Sequence, residues 1–404
     1  MLLEGLQGLI GARTALMRLA LCLLLCLMQV GCGTLYVTQA AVGQWGVLRA
    51  RRPIAAVIAD PHTPPPLQDR LSTVEAARDF AVSTLHLPDN RSYRTYADIH
   101  RPYVVWNVVA APEFSVVPLR WCFPVAGCVS YRGYFKERRA RAFAAKLHRR
   151  GLDVAVGGVP AYSTLGKFAD PVLSSMLRYG DDELIAIIFH ELAHQLLYVK
   201  NDTEFNEAFA TTVENTGLER WLASRGQVQQ MEVFRKDAAN ERAFVHLFTR
   251  TRARLAKLYR SGVAVPQLRA QKADVLAELA TRMRALQQQQ GDHYYESWLT
   301  AGLNNAQLAS VATYYQCVPG LERLLASQDG DLQRFYAAAR ELAHLSREAR
   351  HRRVCQAAEP AEDAEPAEEA EPAEAAEPAE AAQPDGLSAA GSTQSPDRVA
   401  PRAP

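Results

Sequence analysis

Asp181-Asp182-Glu183-Leu184-Ile185-Ala186-Ile187-Ile188-Phe189-His190-Glu191-Leu192-Ala193-His194-Gln195-Leu196-Leu197 is the stretch on which the fold turns. From Glu183 to Val199 the chain carries neither Gly nor Pro. Asp181 and Asp182 put acidic side chains at its start, where a helix dipole favours negative charge. Leu184, Ile187, Ile188, Ala193 and Leu197 supply a buried side, so the pattern predicts a helix. Within it stands H-E-x-x-H. Histidines at i and i+4 share one helix face, and both imidazoles can point at a single Zn²⁺. Glu191, beside the first histidine, has reach to a water at that ion and can take its proton. The pattern therefore predicts a zinc hydrolase; the competing reading is a chance match on an ordinary helix.

A catalytic zinc keeps three protein ligands and leaves a fourth position for water. Asp202 or Thr203 suits a helix N-cap, and the run to Trp221 is helical in pattern, broken only by Gly217. Two helices joined by a tight turn near Asn201 would bring a carboxylate of the second to the histidines of the first. Glu204, Glu207 and Glu214 are the candidates. Glu207 follows Asn206 and is followed three residues on by small Ala210, which would let the helices approach closely.

H-E-x-x-H followed by N-E-x-x-A on the next helix resembles the gluzincins, the thermolysin-like zinc peptidases. Longer stretches resemble a bacterial family of predicted aminopeptidases, zinc-dependent lipoproteins. They are Gly127-Cys128-Val129-Ser130-Tyr131-Arg132-Gly133-Tyr134-Phe135, Gly158 to Gly166, Asp170 to Leu173, Ile188 to Gln195, Phe205-Asn206-Glu207 and Leu303-Asn304-Asn305-Ala306. The resemblance runs from about Cys32 to about Leu325. It implies a Zn²⁺ cofactor, Glu207 as third ligand and peptide-bond hydrolysis. Two departures stand out. The loop between His194 and Glu207 leaves no room for an inserted subdomain. Thr211 occupies the place, four residues after the ligand, where gluzincins often carry an acid that orients a zinc histidine. Glu214, seven residues after Glu207, is the substitute candidate for that role, against a plain helix-pairing carboxylate.

The chain has 404 residues and a formal net charge of +1. No basic stretch interleaved with aromatics occurs, which argues against nucleic acid; Arg138, Arg139, Arg141, Arg149 and Arg150 read as the solvated face of one helix. Leu19 to Val30 is an apolar run too short to span a bilayer comfortably, preceded by Arg13 and Arg18 and ended by Gly31-Cys32. Residues 1–31 are expected to be a signal peptide, with Met17 a better initiator than Met1. Cys32 is expected to be the lipidated first residue of a protein anchored in the bacterial envelope and facing the periplasm. An ordinary cleaved signal or an uncleaved anchor are the alternatives. Gln29 stands where such signals usually carry Leu, and Gly33 is not the aspartate of inner-membrane retention. In an oxidising compartment Cys122 and Cys128, bracketing a turn-prone loop, are expected to pair; Cys317 and Cys355 could form a second bridge.

The expected organisation is one zinc peptidase domain over 32–355, with a helical hairpin elaboration at 226–290, followed by a disordered Ala/Glu/Pro-rich tail at 356–404. The fold class is α+β, predominantly helical, a zincin-like core with a small sheet. Val104 to Ala110, Phe114 to Pro118, Val129 to Tyr134 and Leu152 to Val156 read as strands. Leu71 to Leu85 and Lys136 to Arg150 read as helices, the second closed by Gly151. Gly262 and Pro266 split the hairpin into two arms.

A peptide substrate is expected to lie along the backbone from Val159 to Thr164, which names Tyr162, Ser163 and Thr164 as binding residues; a plain strand-to-helix connection is the competing reading. Tyr314, Tyr315, Tyr162 and His293 are the candidates to stabilise an oxyanion. An aminopeptidase also needs an anion for the free amine, for which Glu204, Asp170 and Glu214 are available. The competitors are an envelope endopeptidase and a non-catalytic zinc-stabilised scaffold. The intact Glu191 argues against the scaffold, since a structural site has no use for a base.

Overall fold

The computed structural model describes residues 32–123, 127–291 and 295–355. The expected signal segment 1–31, the acidic tail 356–404 and His293 lie outside the described residues. The chain opens with helix α1 (Cys32–Arg49), then β1 (Arg51–Pro53), α2 (Ile54–Ile58) and α3 (Pro65–Ser83). Strands β2 (Thr95–Ala97), β3 (Val105–Pro112), β4 (Trp121–Phe123), β5 (Gly127–Val129) and β6 (Arg132–Tyr134) follow, then α4 (Glu137–His148), β7 (Leu152–Val159) and β8 (Val172–Leu173). The rest is helical: α5 (Asp181–Leu196), α6 (Thr203–Ser224), α7 (Val228–Tyr259), α8 (Val265–Gln290), α9 (Glu296–Ala301), α10 (Asn305–Tyr315), α11 (Val318–Ala326), α12 (Leu332–Ala343) and α13 (Arg347–Val354). The class is predominantly helical α+β. No described helix is long and apolar enough to cross a membrane.

β3 is the centre of the sheet that matters for the site, with β6 and β7 antiparallel on either side. Side chains alternate across a strand. Trp106, Val108 and Ala110 pack on the apolar face of α4, with Ala140, Ala144 and Leu147. Val105 and Asn107 therefore face the other way, toward a cavity bounded by α5, α6 and the end of α10.

Two strand expectations need correction. Val129 to Tyr134 is not one strand. It divides at Ser130-Tyr131 into β5, which pairs with β4, and β6, which pairs with β3. A short hairpin closed by the Cys122–Cys128 disulfide results. Its backbone docks on the α5–α6 turn, where Asn201 accepts from the Cys128 amide through Oδ1 (2.7 Å) and from Arg120 through its carbonyl (2.6 Å). Phe114 to Pro118 is irregular rather than extended. Its one buried residue, Val116, is drawn into the apolar core of the helical hairpin, and Lys272 and Asn305 claim the Glu113 carbonyl that a ladder would need.

α5 and α6 pack against each other across a short connection. Asp202 caps α6, accepting from the Phe205 amide. The Asn206 carboxamide clamps the end of α5, accepting from the Val199 amide and donating to the Val199 carbonyl, both at 2.8 Å. Gly217 does not break α6, which continues to Ser224. A Cβ there would stand 2.8 Å from Leu85 Cδ1, just past α3, and 2.9 Å from Phe189 Cδ2 of α5, so this close approach offsets the roughly 1 kcal/mol helical cost of a glycine. Phe189, Phe205 and Phe209 are fully buried around this contact, each contributing about 1.5–3 kcal/mol.

The hairpin of α7 and α8 turns at Gly262, whose φ of 75° suits glycine. Phe244, Phe248, Leu279 and Met283 form its core with Leu308 of α10. Asn305 fastens it to the sheet: its side chain accepts from the Tyr259 hydroxyl and donates to the Pro112 and Glu113 carbonyls. No residue of α7 or α8 is among those lining the cavity. At the other end a Cys317–Cys355 disulfide holds α13, whose Arg350 and His351 each reach the buried Asp202 carboxylate at 2.7 Å.

Candidate metal centre

His190 and His194 stand one turn apart on α5, their rings edge to face with centroids 4.8 Å apart. Glu207, from the first turns of α6, meets both. Its Oε2 lies 3.3 Å from His190 Nε2 and 3.5 Å from His194 Nε2. All three residues are buried. Burial pushes the Glu207 carboxyl up, but His194 and His190 beside it more than reverse this and hold it down at about 2. A tetrahedral ion with bonds of about 2.0–2.2 Å keeps its ligand atoms roughly 3.3–3.6 Å apart. The two separations fall in that range, and two imidazoles with one carboxylate are a donor set for a first-row divalent metal. The residues present therefore fit a metal.

Glu214, two turns along α6 from Glu207, places Oε2 2.7 Å from His190 Nδ1. A carboxylate only accepts, so Nδ1 donates to Glu214, and Nε2 is the ring atom that faces Glu207. Thr211 makes no hydrogen bond to either histidine. Glu191 is buried in the cavity wall beside the three donors and is not one of them.

The cavity measures about 290 Å³. Tyr162, Ser163 and Tyr314 line it, as expected of substrate-binding residues. The Tyr162 hydroxyl is bonded to Gln44 of α1. Thr164 does not line it: its amide and hydroxyl both donate to Asp170, at 3.0 and 2.7 Å. Glu204 does not line it either, because Arg347 of α13 draws its carboxylate away at 3.0 Å. Tyr315 turns to Glu241 of the hairpin. Burial pushes the Asp170 carboxyl up to about 6, against the Thr164 bonds that pull it down, and it too stands outside the cavity lining.

Three further wall residues are not among the candidates named from the sequence, although Tyr131 falls within a stretch that carries the family resemblance. Tyr131 sits at the break between β5 and β6, within electrostatic range of Glu207 and Glu191. Burial, then Glu207, and after it Tyr198 and Glu191, raise its hydroxyl well above the ordinary tyrosine range. Tyr198, just past α5, is raised to about 12 by burial and by Glu207. Asn107 reaches the cavity from β3. Asn107 has no motif spacing to a ligand, so only the fold brings it to the histidines, whereas Tyr198 repeats the i+4 spacing after His194, with ring centroids 6.5 Å apart.

Helices that present two histidines and a glutamate to one cavity, beside a small antiparallel sheet, define a candidate metal-binding site. A family model described as "Putative aminopeptidase" matches residues 35–354, and the chain belongs to that family. Membership points to peptidase activity. No curated protein matched the chain. No solved structure matched it.

Proposed function

We propose that this protein is a zinc-dependent peptidase of the bacterial envelope with a zincin-like core. The observation that carries the reading is the convergence of His190 Nε2, His194 Nε2 and Glu207 Oε2 in the wall of a cavity that also holds Glu191. A Zn²⁺ held by those three residues would polarise the scissile carbonyl and make a water acidic enough to attack it. Glu191 takes the proton of the attacking water and delivers it to the leaving amine. Tyr131 lines the same cavity as the three donors and Glu191, and its hydroxyl is the donor proposed for the oxyanion that develops at the carbonyl. Glu214 fixes the ring of His190 and raises its basicity. The chain from Val159 to Ser163 lies along the same wall and supplies backbone to an extended substrate.

A second reading, an endopeptidase, is favoured by the acids named for a free amine. Glu204 is paired with Arg347, Glu214 with His190, and Asp170 with Thr164, so none of the three is offered to an amino terminus. A mixed library of free and N-blocked peptides, digested with metal-replete and chelator-treated protein, tests both readings. Cleavage that depends on metal is expected. Products from free amino termini alone support an aminopeptidase, and cleavage of blocked peptides an endopeptidase. If neither set is cut while metal removal merely unfolds the protein, the scaffold reading replaces both. The anchor at Cys32 belongs to the same proposal: mass spectrometry of the mature protein should find a lipidated Cys32 at its N-terminus, and an unmodified start elsewhere would overturn it.

A further inference from the structure

Asn107 is a polar side chain on the central strand that the mechanism above does not use. It is 5 % exposed, and its carboxamide makes no hydrogen bond with any described residue. It opens instead into the cavity that contains His190, Glu191, His194 and Glu207. Its amide atoms face the open cavity rather than the packed core, where another polar group can reach them.

The neighbouring strands are built around this amide. The register sets Asn107 opposite Gly133 of β6 on one side and Gly157 of β7 on the other. A Cβ at Gly133 would stand 3.0 Å from Asn107 Oδ1 and 2.8 Å from Val105 Cγ1. Glycine in the interior of a sheet gives up packing, and it marks a place where another group comes close. Here that group is the Asn107 side chain itself. Around it the wall is apolar: Val105, Phe123, Val129 and Ala161.

We propose that the Asn107 carboxamide anchors a backbone peptide group of the substrate, whose neighbouring side chain is apolar and fills the wall formed by Val105, Phe123 and Val129. A carboxamide offers two N–H donors and a carbonyl acceptor, the complement of a peptide's C=O and N–H. In an apolar wall such a pair of bonds selects for peptide backbone rather than for any one side chain, while the surrounding surface selects for apolar residues. The inference rests on the peptidase reading.

The test separates the two. Full-length, metal-replete protein carrying Glu191→Gln is dialysed against an equimolar random heptapeptide library, and the retained peptides are read by mass spectrometry. Glu191→Gln is expected to retain peptides enriched in apolar residues. Adding Asn107→Leu, which keeps the bulk and removes the amide, should cut retention about 10-fold or more, the worth of one to two buried hydrogen bonds. In the otherwise native enzyme the same substitution should raise KM more than it lowers kcat. Circular dichroism and metal content check that the fold survives, and Asn107→Ala serves if Leu does not fit. Equal retention with and without the amide overturns the anchor and leaves the peptidase reading standing, since the carboxamide then binds only water. No retention by folded, metal-loaded Glu191→Gln overturns the peptidase reading and the anchor with it.

Discussion

Glu191→Gln is expected to leave folding and metal content near those of the native protein while cutting peptide hydrolysis by about 10²–10⁴-fold, the usual worth of general acid–base catalysis. The substitution keeps size and shape in a buried position, so no cavity or overpacking follows. It also spares the three converging donor atoms, none of which belongs to Glu191. What is lost is the carboxylate proposed to accept and return a proton. Inductively coupled plasma analysis for metal, far-ultraviolet circular dichroism for the fold and progress curves on the library substrates measure the three quantities. Tyr131→Phe is the companion experiment: it removes a donor without touching a base, and kcat should fall by about 10²-fold or more with KM little changed. Glu191→Gln with native rates would sink the hydrolase reading outright. Tyr131→Phe with native rates would remove only the assignment of the oxyanion donor.

Glu207→Gln should have the other large effect, loss of bound metal together with activity. Its carboxylate is the one negative charge between two imidazole nitrogens, at 3.3 and 3.5 Å. A neutral amide there is a far poorer ligand for a divalent ion. Glu214→Gln should be milder, lowering metal affinity about 10- to 100-fold, because it only loosens the His190 ring. Glu204→Gln should retain native metal content, its carboxylate being engaged with Arg347. Titration of the apo-protein with Zn²⁺ orders the three variants. If Glu204→Gln or Glu214→Gln loses the metal while Glu207→Gln keeps it, the ligand set is misassigned.

The local signals in the sequence were legible wherever the chemistry is local. The α5 helix, the Asp202 cap, the turn at Asn201 and the split of the hairpin at Gly262 each depend on residues within a few positions of one another, and each stands where its residues place it. Signals that depend on distant partners misled. Phe114 to Pro118 has the alternation of a strand, but a strand also needs a free edge to pair with, and the hairpin core took Val116 instead. Glu204 is named from the sequence as a substrate-binding acid, which its tertiary partner rules out. That partner is Arg347, 143 residues away along the chain.

The sequence by itself determined the helix that carries H-E-x-x-H and the helix that follows it, because helical periodicity and capping are properties of neighbouring residues. It also determined that two histidines share a face, since 3.6 residues per turn leaves no choice. The resemblance carried by Asn206-Glu207 and Ala210 implied Glu207 as the third ligand and left Glu214 as a candidate partner of a histidine; only the tertiary structure decided that Glu214 meets His190 and that Tyr131 and Asn107 stand in the same wall. Those choices follow from the pairing of β6 with β3, from the docking of the Cys122–Cys128 hairpin on Asn201, and from the pull of α13 on Glu204. Contacts of that kind are set by packing between segments far apart in the chain, and no local pattern of residue types encodes them.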